Sequence, residues 1–259
     1  MLSRLKRDRL HRRRLHAALG REIPTVKVYR MIDSTNTEAK RLASRDVPLP
    51  ALIAADGQSA GRGRMGRSFY SPAGTGIYFS LLCQTPLTAA HVLTVTSATA
   101  VALMRAIRRL YGLQTEIKWV NDLYLDGKKV AGILTEAMTE GDRVHFVIGI
   151  GVNLTTEDFP GELAEIAGSL NCQKGSREAL IAELWKELSP YLRDPRDASW
   201  VEDYRTHSCV LGKNVTWSTD GQQYEGIALD VNEHGHLLVR SSDGREHCLQ
   251  TGEISVRLR

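Results

Sequence analysis

Residues 56–80 read DGQSAGRGRMGRSFYSPAGTGIYFS, and the reading of this stretch decides that of the whole chain. Gly57, Gly61, Gly63 and Gly66 keep side chains out of the way, while Arg62, Arg64 and Arg67 place guanidinium forks between them. Glycine lets a backbone approach a ligand closely, and guanidinium matches a phosphate or carboxylate with two parallel hydrogen bonds. Holding so glycine-rich a segment in one shape is entropically costly, so it is expected to be mobile until an anionic ligand orders it. A solvated surface loop has the same composition, and the stretch alone leaves both readings open. Two familiar motifs are excluded. Residues 61–66 (GRGRMG) have the form G-x-G-x-x-G, yet FYSP follows at 69–72, where a dinucleotide fold needs an amphipathic helix. No glycine spacing here ends in Gly-Lys-Ser/Thr, so a Walker A loop is absent as well.

At 259 residues the chain can bury a large domain and a smaller one. Its net charge of +4 is unevenly placed. Residues 1–14 carry Arg4, Lys6, Arg7, Arg9, Arg12, Arg13 and Arg14 against Asp8, a net of +6 that leaves the remainder at −2. The basic character therefore belongs to an arm, residues 1–22, and not to the body. Such blocks are generally solvated tails, although Leu15 and Leu19 stand one helical turn apart and allow some helix. On this reading, deleting residues 1–14 leaves activity unchanged. Cys83, Cys172, Cys209 and Cys248 show neither CxxC nor zinc spacing and read as reduced, intracellular thiols. No apolar run is read as a membrane span and no secretory leader is seen. A cytoplasmic protein is expected.

Residues 25–32 (TVKVYRMI) alternate as a strand does and run into Ser34-Thr35-Asn36. Thr35 with Glu38 fits a capping box opening a helix through Ala39, Leu42 and Ala43. Strands follow at 52–55 and 77–82, then a long packed helix over 89–110. Further strands are expected at 115–120 and 123–125, a turn at Asp126-Gly127, and strands over 129–136 and 143–152. Residues 176–192 carry a Leu180, Leu184, Leu188 stripe that reads as core. From Val210 the glycine- and aspartate-rich turns have the spacing of a small β-barrel. Lys118, between Ile117 and Trp119, lies either on a strand edge or facing a polar pocket.

The glycine–arginine stretch resembles the signature of the biotin protein ligase family, G-R-G-R-x-G-R-x-W-x-S-P-x-G. Ser34-Thr35-Asn36 upstream, and KWVND (118–122), KVAGIL (129–134) and GIGVN (149–153) downstream, occur in the family's order and cover most of the chain. The resemblance implies an α+β fold: a mixed sheet with packed helices, like a class II synthetase, over residues 23–208, and an SH3-like barrel over 209–259. It implies an ATP-dependent enzyme that makes biotinyl-5′-AMP and transfers biotin to a lysine of a biotin carboxyl carrier domain. It further implies that Ser34, Thr35, Asn36, Gln58, Gly61, Arg62, Gly63, Arg64, Lys118 and Gly132 frame biotin. Arg64, Arg67, Phe69, Lys118, Asn121 and Asn153 would face the nucleotide. Lys118 and Arg64 would neutralise the reacting anions, with Asp122 orienting the incoming lysine.

ATP, biotin and Mg²⁺ are the implied cofactors, with no residue assigned to the metal. Two positions depart from the family pattern. Val120 stands where proline is usual, restoring a backbone donor and loosening the turn. Phe69 replaces a tryptophan and loses its indole N–H. Some family members carry an N-terminal winged helix, for which the roughly thirty residues before Ser34 are too few. Nucleic-acid binding is therefore not expected, and a homodimer is left open. A lipoate–protein ligase, or a module that binds nucleic acid in response to biotinyl-adenylate, are the alternative readings.

Overall fold

A computed structural model describes residues 9–45, 47–140, 143–172, 176–194, 196–219, 222–250 and 254–256. The elements of the larger domain are α1 (Arg12–Leu19), β1 (Thr25–Tyr29), α2 (Thr35–Ala43), β2 (Ala51–Ala55), β3 (Gly76–Gln84), α3 (Val92–Tyr111), β4 (Glu116–Lys118), β5 (Asp122–Leu125), β6 (Lys128–Glu140), β7 (Arg143–Asn153), α4 (Leu163–Ile166), α5 (Arg177–Arg193) and α6 (Trp200–Thr206). Its strands form a mixed sheet of order β1-β2-β3-β7-β6-β5-β4, in which only the β1–β2 pair is parallel. The central strands are apolar throughout because both faces are covered. Ile77, Phe79, Leu81, Ile148 and Ile150 face the core that α3 and α5 share, while Leu82 and Val147 meet Ala39 and Leu42 of α2. The α+β expectation holds.

Helix α3 together with the 3₁₀ turn before it, Ala89–Tyr111, is 23 residues long and contains an 18-residue window of mean hydropathy 1.4, enough by length and composition alone to cross a membrane. Here Val95, Ala98, Val101, Ala102 and Ala106 are buried in the protein core. The helix that opens after Ser34 differs from expectation. Its N-cap makes no side-chain capping bond. Glu38 instead accepts from the Tyr29 hydroxyl at 2.9 Å and Arg41 at 3.3 Å, which leaves the Thr35 hydroxyl for other partners.

The small C-terminal domain comprises β8 (Asn214–Thr219), β9 (Gln222–Val231), β10 (Leu237–Ser241), β11 (Glu246–Leu249) and β12 (Ile254–Val256), an antiparallel sheet of order β11-β10-β9-β8-β12. It is tied to the larger domain by one buried and one half-exposed contact. The Trp119 indole N–H donates to the Gly235 carbonyl at 2.9 Å, and Arg205 grips Asp230 at 2.6 and 2.8 Å. The KWVND turn is consequently not loose. Trp119 and Val120 are buried, the peptide between them is cis, and Asn121 and Ile133 exchange two hydrogen bonds of 2.9 Å.

The N-terminal arm needs a larger correction. From Leu10 onward it is part of the body: Leu10, Leu15 and Leu19 are buried in the main core. The Leu10 amide donates to Asp56 at 3.2 Å and the His11 amide to Glu178 at 3.1 Å. Arg12, Arg13 and Arg14 of α1 are exposed and its leucines buried, so this part of the charge block is the wet face of an amphipathic helix, while residues 1–8 lie outside the described residues. Leu15→Ala should lower the unfolding free energy by about 2–5 kcal/mol in a urea titration, the cost of emptying a buried leucine site. Deletion of residues 1–14 should destabilise in the same assay. Unchanged midpoints in both would return the segment to a tail.

Candidate functional site

The site begins with what its floor lacks. On β6 and β7, Gly132 stands opposite Gly151, and Gly149 opposite Leu134. A methyl group on Gly149 would lie 2.0 Å from the Asn36 amide oxygen, and one on Gly151 2.5 Å from the Phe69 ring. On Gly132 it would meet Phe69 and Lys129 at 3.2 Å. The Phe69 ring and the Asn36 amide therefore lie directly against the main chain of the sheet. Phe69 is held edge-on to Tyr78, with centroids 6.3 Å apart.

The glycine–arginine stretch folds over this floor as a narrow finger. Its ladder consists of Gln58 N–H to Ser71 O at 3.1 Å, Phe69 N–H to Gly61 O at 2.9 Å and Gly63 N–H to Arg67 O at 2.7 Å. Gly61 is needed for that ladder, since a side chain there would strike the Phe69 carbonyl at 2.4 Å. At the tip, Arg64–Gly66 make a 3₁₀ turn in which Met65 and Gly66 take φ of 53° and 74°. Arg64 reaches back to donate to the Asn121 side-chain oxygen at 3.2 Å.

Finger and floor enclose a cleft with a cavity of about 200 Å³. It is lined by thirteen of the residues expected from the sequence: Ser34, Thr35, Asn36, Gln58, Arg62, Gly63, Arg64, Arg67, Phe69, Asn121, Asp122, Gly132 and Asn153. Gly61 and Lys118 are not among the lining residues. Gly61 acts through the finger's backbone. The Lys118 ammonium lies 5.5 Å from the centroid of the Tyr124 ring, outside the cavity wall, and this corrects its assignment as the central cation. Lys129 is in the wall instead, with its ammonium 2.7 Å from Asp122. A register shift between Leu123 and Tyr124, where β5 pairs with β6, sets Lys129 opposite Tyr124 and so on the same face as Asp122. The KVAGIL motif contained the signal, as its first residue.

At one end of the cleft the polar side chains are already arranged. Gln58 accepts from the Thr35 amide at 2.8 Å and donates to Ser71 at 2.9 Å. Ser80 lies 2.6 Å from the Asn36 amide oxygen and 2.8 Å from the Thr35 hydroxyl. Behind them stands Glu136, which sequence reasoning missed as a site residue. Lys40 reaches it at 2.6 Å, Asn36 at 3.0 Å and Arg62 at 3.2 and 3.4 Å. Burial pushes the Glu136 carboxyl up, but the bonds from Lys40 and Asn36 and the charges of Lys40 and Arg62 outweigh it and hold it below the ordinary glutamate range.

The other end is apolar with one exception. Phe159, Leu163 and Ile166 form a wall with Tyr70, whose ring centroid lies 6.2 Å from that of Phe159. Asn153 breaks it. Its amide nitrogen donates to Gly168 O at 3.0 Å, while its buried side-chain oxygen has no hydrogen-bond partner among the described residues. Because Asn153 also lines the cleft, this acceptor is available to a ligand N–H. The arrangement as a whole offers a polar pocket for a small ring, a cationic middle and an apolar slot with one hydrogen-bond acceptor.

Comparison with known proteins agrees with this geometry. Residues 28–153 match the Biotin/lipoate A/B protein ligase family, and residues 210–257 match the Biotin protein ligase C terminal domain. The chain is 36% identical to the bifunctional ligase/repressor BirA of Bacillus spizizenii over 83% of its own length and 69% of that protein's. It is 30% identical to the biotin–[acetyl-CoA-carboxylase] ligase of Mycobacterium tuberculosis, over 87% of this chain and 86% of the other. The biotin protein ligase from Aquifex aeolicus, solved in complex with biotin and ATP, superimposes with a TM-score of 0.74 at 26% identity, covering 90% of this chain and 98% of that one. With a cleft of this construction and matches of this extent, the chain belongs to the biotin protein ligase family.

Proposed function

We propose that the chain activates biotin with ATP and passes the biotinyl group to a lysine of a carrier domain. The observation that carries this reading is the three-part cleft, with a ring pocket, cations and a nucleotide slot laid end to end on a glycine floor. In the first step a biotin carboxylate oxygen attacks the α-phosphorus of ATP. The bond to the bridging oxygen breaks, and pyrophosphate leaves. Two anions must meet, so fixed positive charge in a partly dry cleft is the main requirement. Lys129, with Arg64 from the finger, supplies it. In the second step the carrier amine attacks the acyl carbon and AMP departs. Asp122, which holds Lys129 at 2.7 Å, is placed to orient that amine.

Biotin's ureido ring takes the end of the cleft lined by Thr35, Asn36, Gln58 and Arg62. The adenine enters the Tyr70–Phe159–Ile166 slot, where the exocyclic amine can donate to the Asn153 oxygen. Among the described residues no group of three or more His, Cys, Asp or Glu side chains could hold a metal ion, so in this reading Mg²⁺ arrives on the ATP phosphates. The lipoate alternative is not favoured: the C-terminal match and the ligase relatives quoted are to biotin ligases. Biotinyl transfer to a purified carrier domain, with lipoate as competitor, tests the reading. Transfer of lipoate in place of biotin would overturn it.

Lys129→Met should slow biotin-dependent exchange of pyrophosphate into ATP by about two to three orders of magnitude, since one preorganised charge at a developing anion is lost. Lys118→Met should change the same rate far less. The opposite ranking would restore Lys118 to the centre.

Arg64→Gly removes the bond to Asn121 and gives the open finger more backbone freedom. It should let biotinyl-adenylate escape sooner and label bystander lysines, with the first step retained. The adenylate dissociation rate and biotinylation of added albumin measure this. Unchanged retention with no bystander labelling would show that the finger is not the lid.

A further inference from the structure

Glu136 stands outside the cleft wall, yet the ring end of the cleft is organised from it. Oε1 accepts from Lys40 at 2.6 Å and from one Arg62 nitrogen at 3.2 Å; Oε2 accepts from Asn36 at 3.0 Å and from the other Arg62 nitrogen at 3.4 Å. Every one of these partners is a donor, and only a carboxylate accepts on both atoms. Because Oε2 and the Leu134 carbonyl, 3.3 Å away, both accept, the Asn36 amide must turn its nitrogen toward them. Its oxygen then faces Ser80, which must give up its proton across 2.6 Å, and the Ser80 lone pair is left to face the Thr35 hydroxyl at 2.8 Å. Beside it, the Thr35 main-chain amide donates to Gln58, which fixes the Gln58 amide so that its nitrogen donates to Ser71 of the finger. From Glu136 to the Thr35 hydroxyl, the direction of each hydrogen bond follows from the one before it. We propose that Glu136 is a positioning residue that sets, through Asn36 and Ser80, which groups at the ring end donate and which accept, and so determines how tightly the neutral ureido ring is held. The proposal rests on the biotin-ligase reading above.

Glu136→Gln keeps the shape but makes one of the two acceptors a donor. Whichever way the amide turns, it sets donor against donor, either at Lys40 and Arg62 or at Asn36. Ser80→Ala breaks the chain at its middle and leaves all the ion pairs of Glu136 in place. Ser80 is fully buried and outside the cleft wall. Steady-state pyrophosphate exchange, with biotin and ATP varied in turn, reads the effect.

Both variants should raise the KM for biotin about tenfold or more, the cost of misdirecting one buried hydrogen bond. The KM for ATP and the kcat at saturating biotin should stay within about twofold. A general loosening of the fold would move all three. An unchanged biotin KM in Glu136→Gln, or biotin and ATP KM values rising together, would overturn the inference. Should Glu136→Gln fail to fold, Ser80→Ala decides it alone, a raised biotin KM supporting the chain and an unchanged one overturning it. A wild-type enzyme without biotin-dependent exchange would instead remove the functional reading and this inference with it.

Discussion

Three side chains are missing from the middle of the sheet, and the site depends on their absence. Gly132, Gly149 and Gly151 leave bare main chain where β6 meets β7. Onto that surface come an aromatic ring from the finger and an amide from α2, each closer than any Cβ would allow. The sheet around them is packed on both faces, so the floor is rigid as well as bare. A rigid floor without side chains lets polar groups converge from two connections that lie far apart in sequence. The finger would have nothing to lie against on an ordinary apolar strand pair.

Much of this could be read from the sequence, for a physical reason. The glycine–arginine stretch at 61–67 becomes decisive only with the ordered motifs around it, and the apolar runs at 77–82 and 143–152 are short for helices, the second also rich in β-branched residues. Thirteen of the expected site residues meet in one cleft. What could not be read was which of two lysines faces it. Lys118 is on β4 and Lys129 on β6, the two neighbours of β5, and the register shift at Leu123/Tyr124 that turns Lys129 to the Asp122 face is a pairing event with no mark in the spacing.

Two further features were hidden by the company they keep. Glu136 is the last residue of the strand expected over 129–136, and its importance lies in partners 74, 96 and 100 residues away. Periodicity reports which face a residue occupies but not what comes to meet it. The arm was hidden by its charge. Seven basic residues dominate any reading of 1–14, while the three leucines that seat it contribute only a faint helical spacing. Composition is a statement about solvent, and α1 is a helix whose solvent face is large.

The indole of Trp119 bonds to a main-chain carbonyl of the C-terminal domain, at Gly235, and that choice of acceptor shapes how the two halves can diverge. A carbonyl is present whatever residue supplies it, so the contact places no demand on side-chain chemistry. It does demand geometry. Gly235 has φ of 80°, and a methyl group there would come within 2.8 Å of Ser97 on α3. This contact therefore constrains the shape of one small turn and leaves its side chains free, unlike the Arg205–Asp230 pair beside it. Lineages could exchange barrels of quite different surface, with different partners in view, and still clamp the turn that carries Asn121. At this one point the joint behaves as a socket keyed by backbone shape.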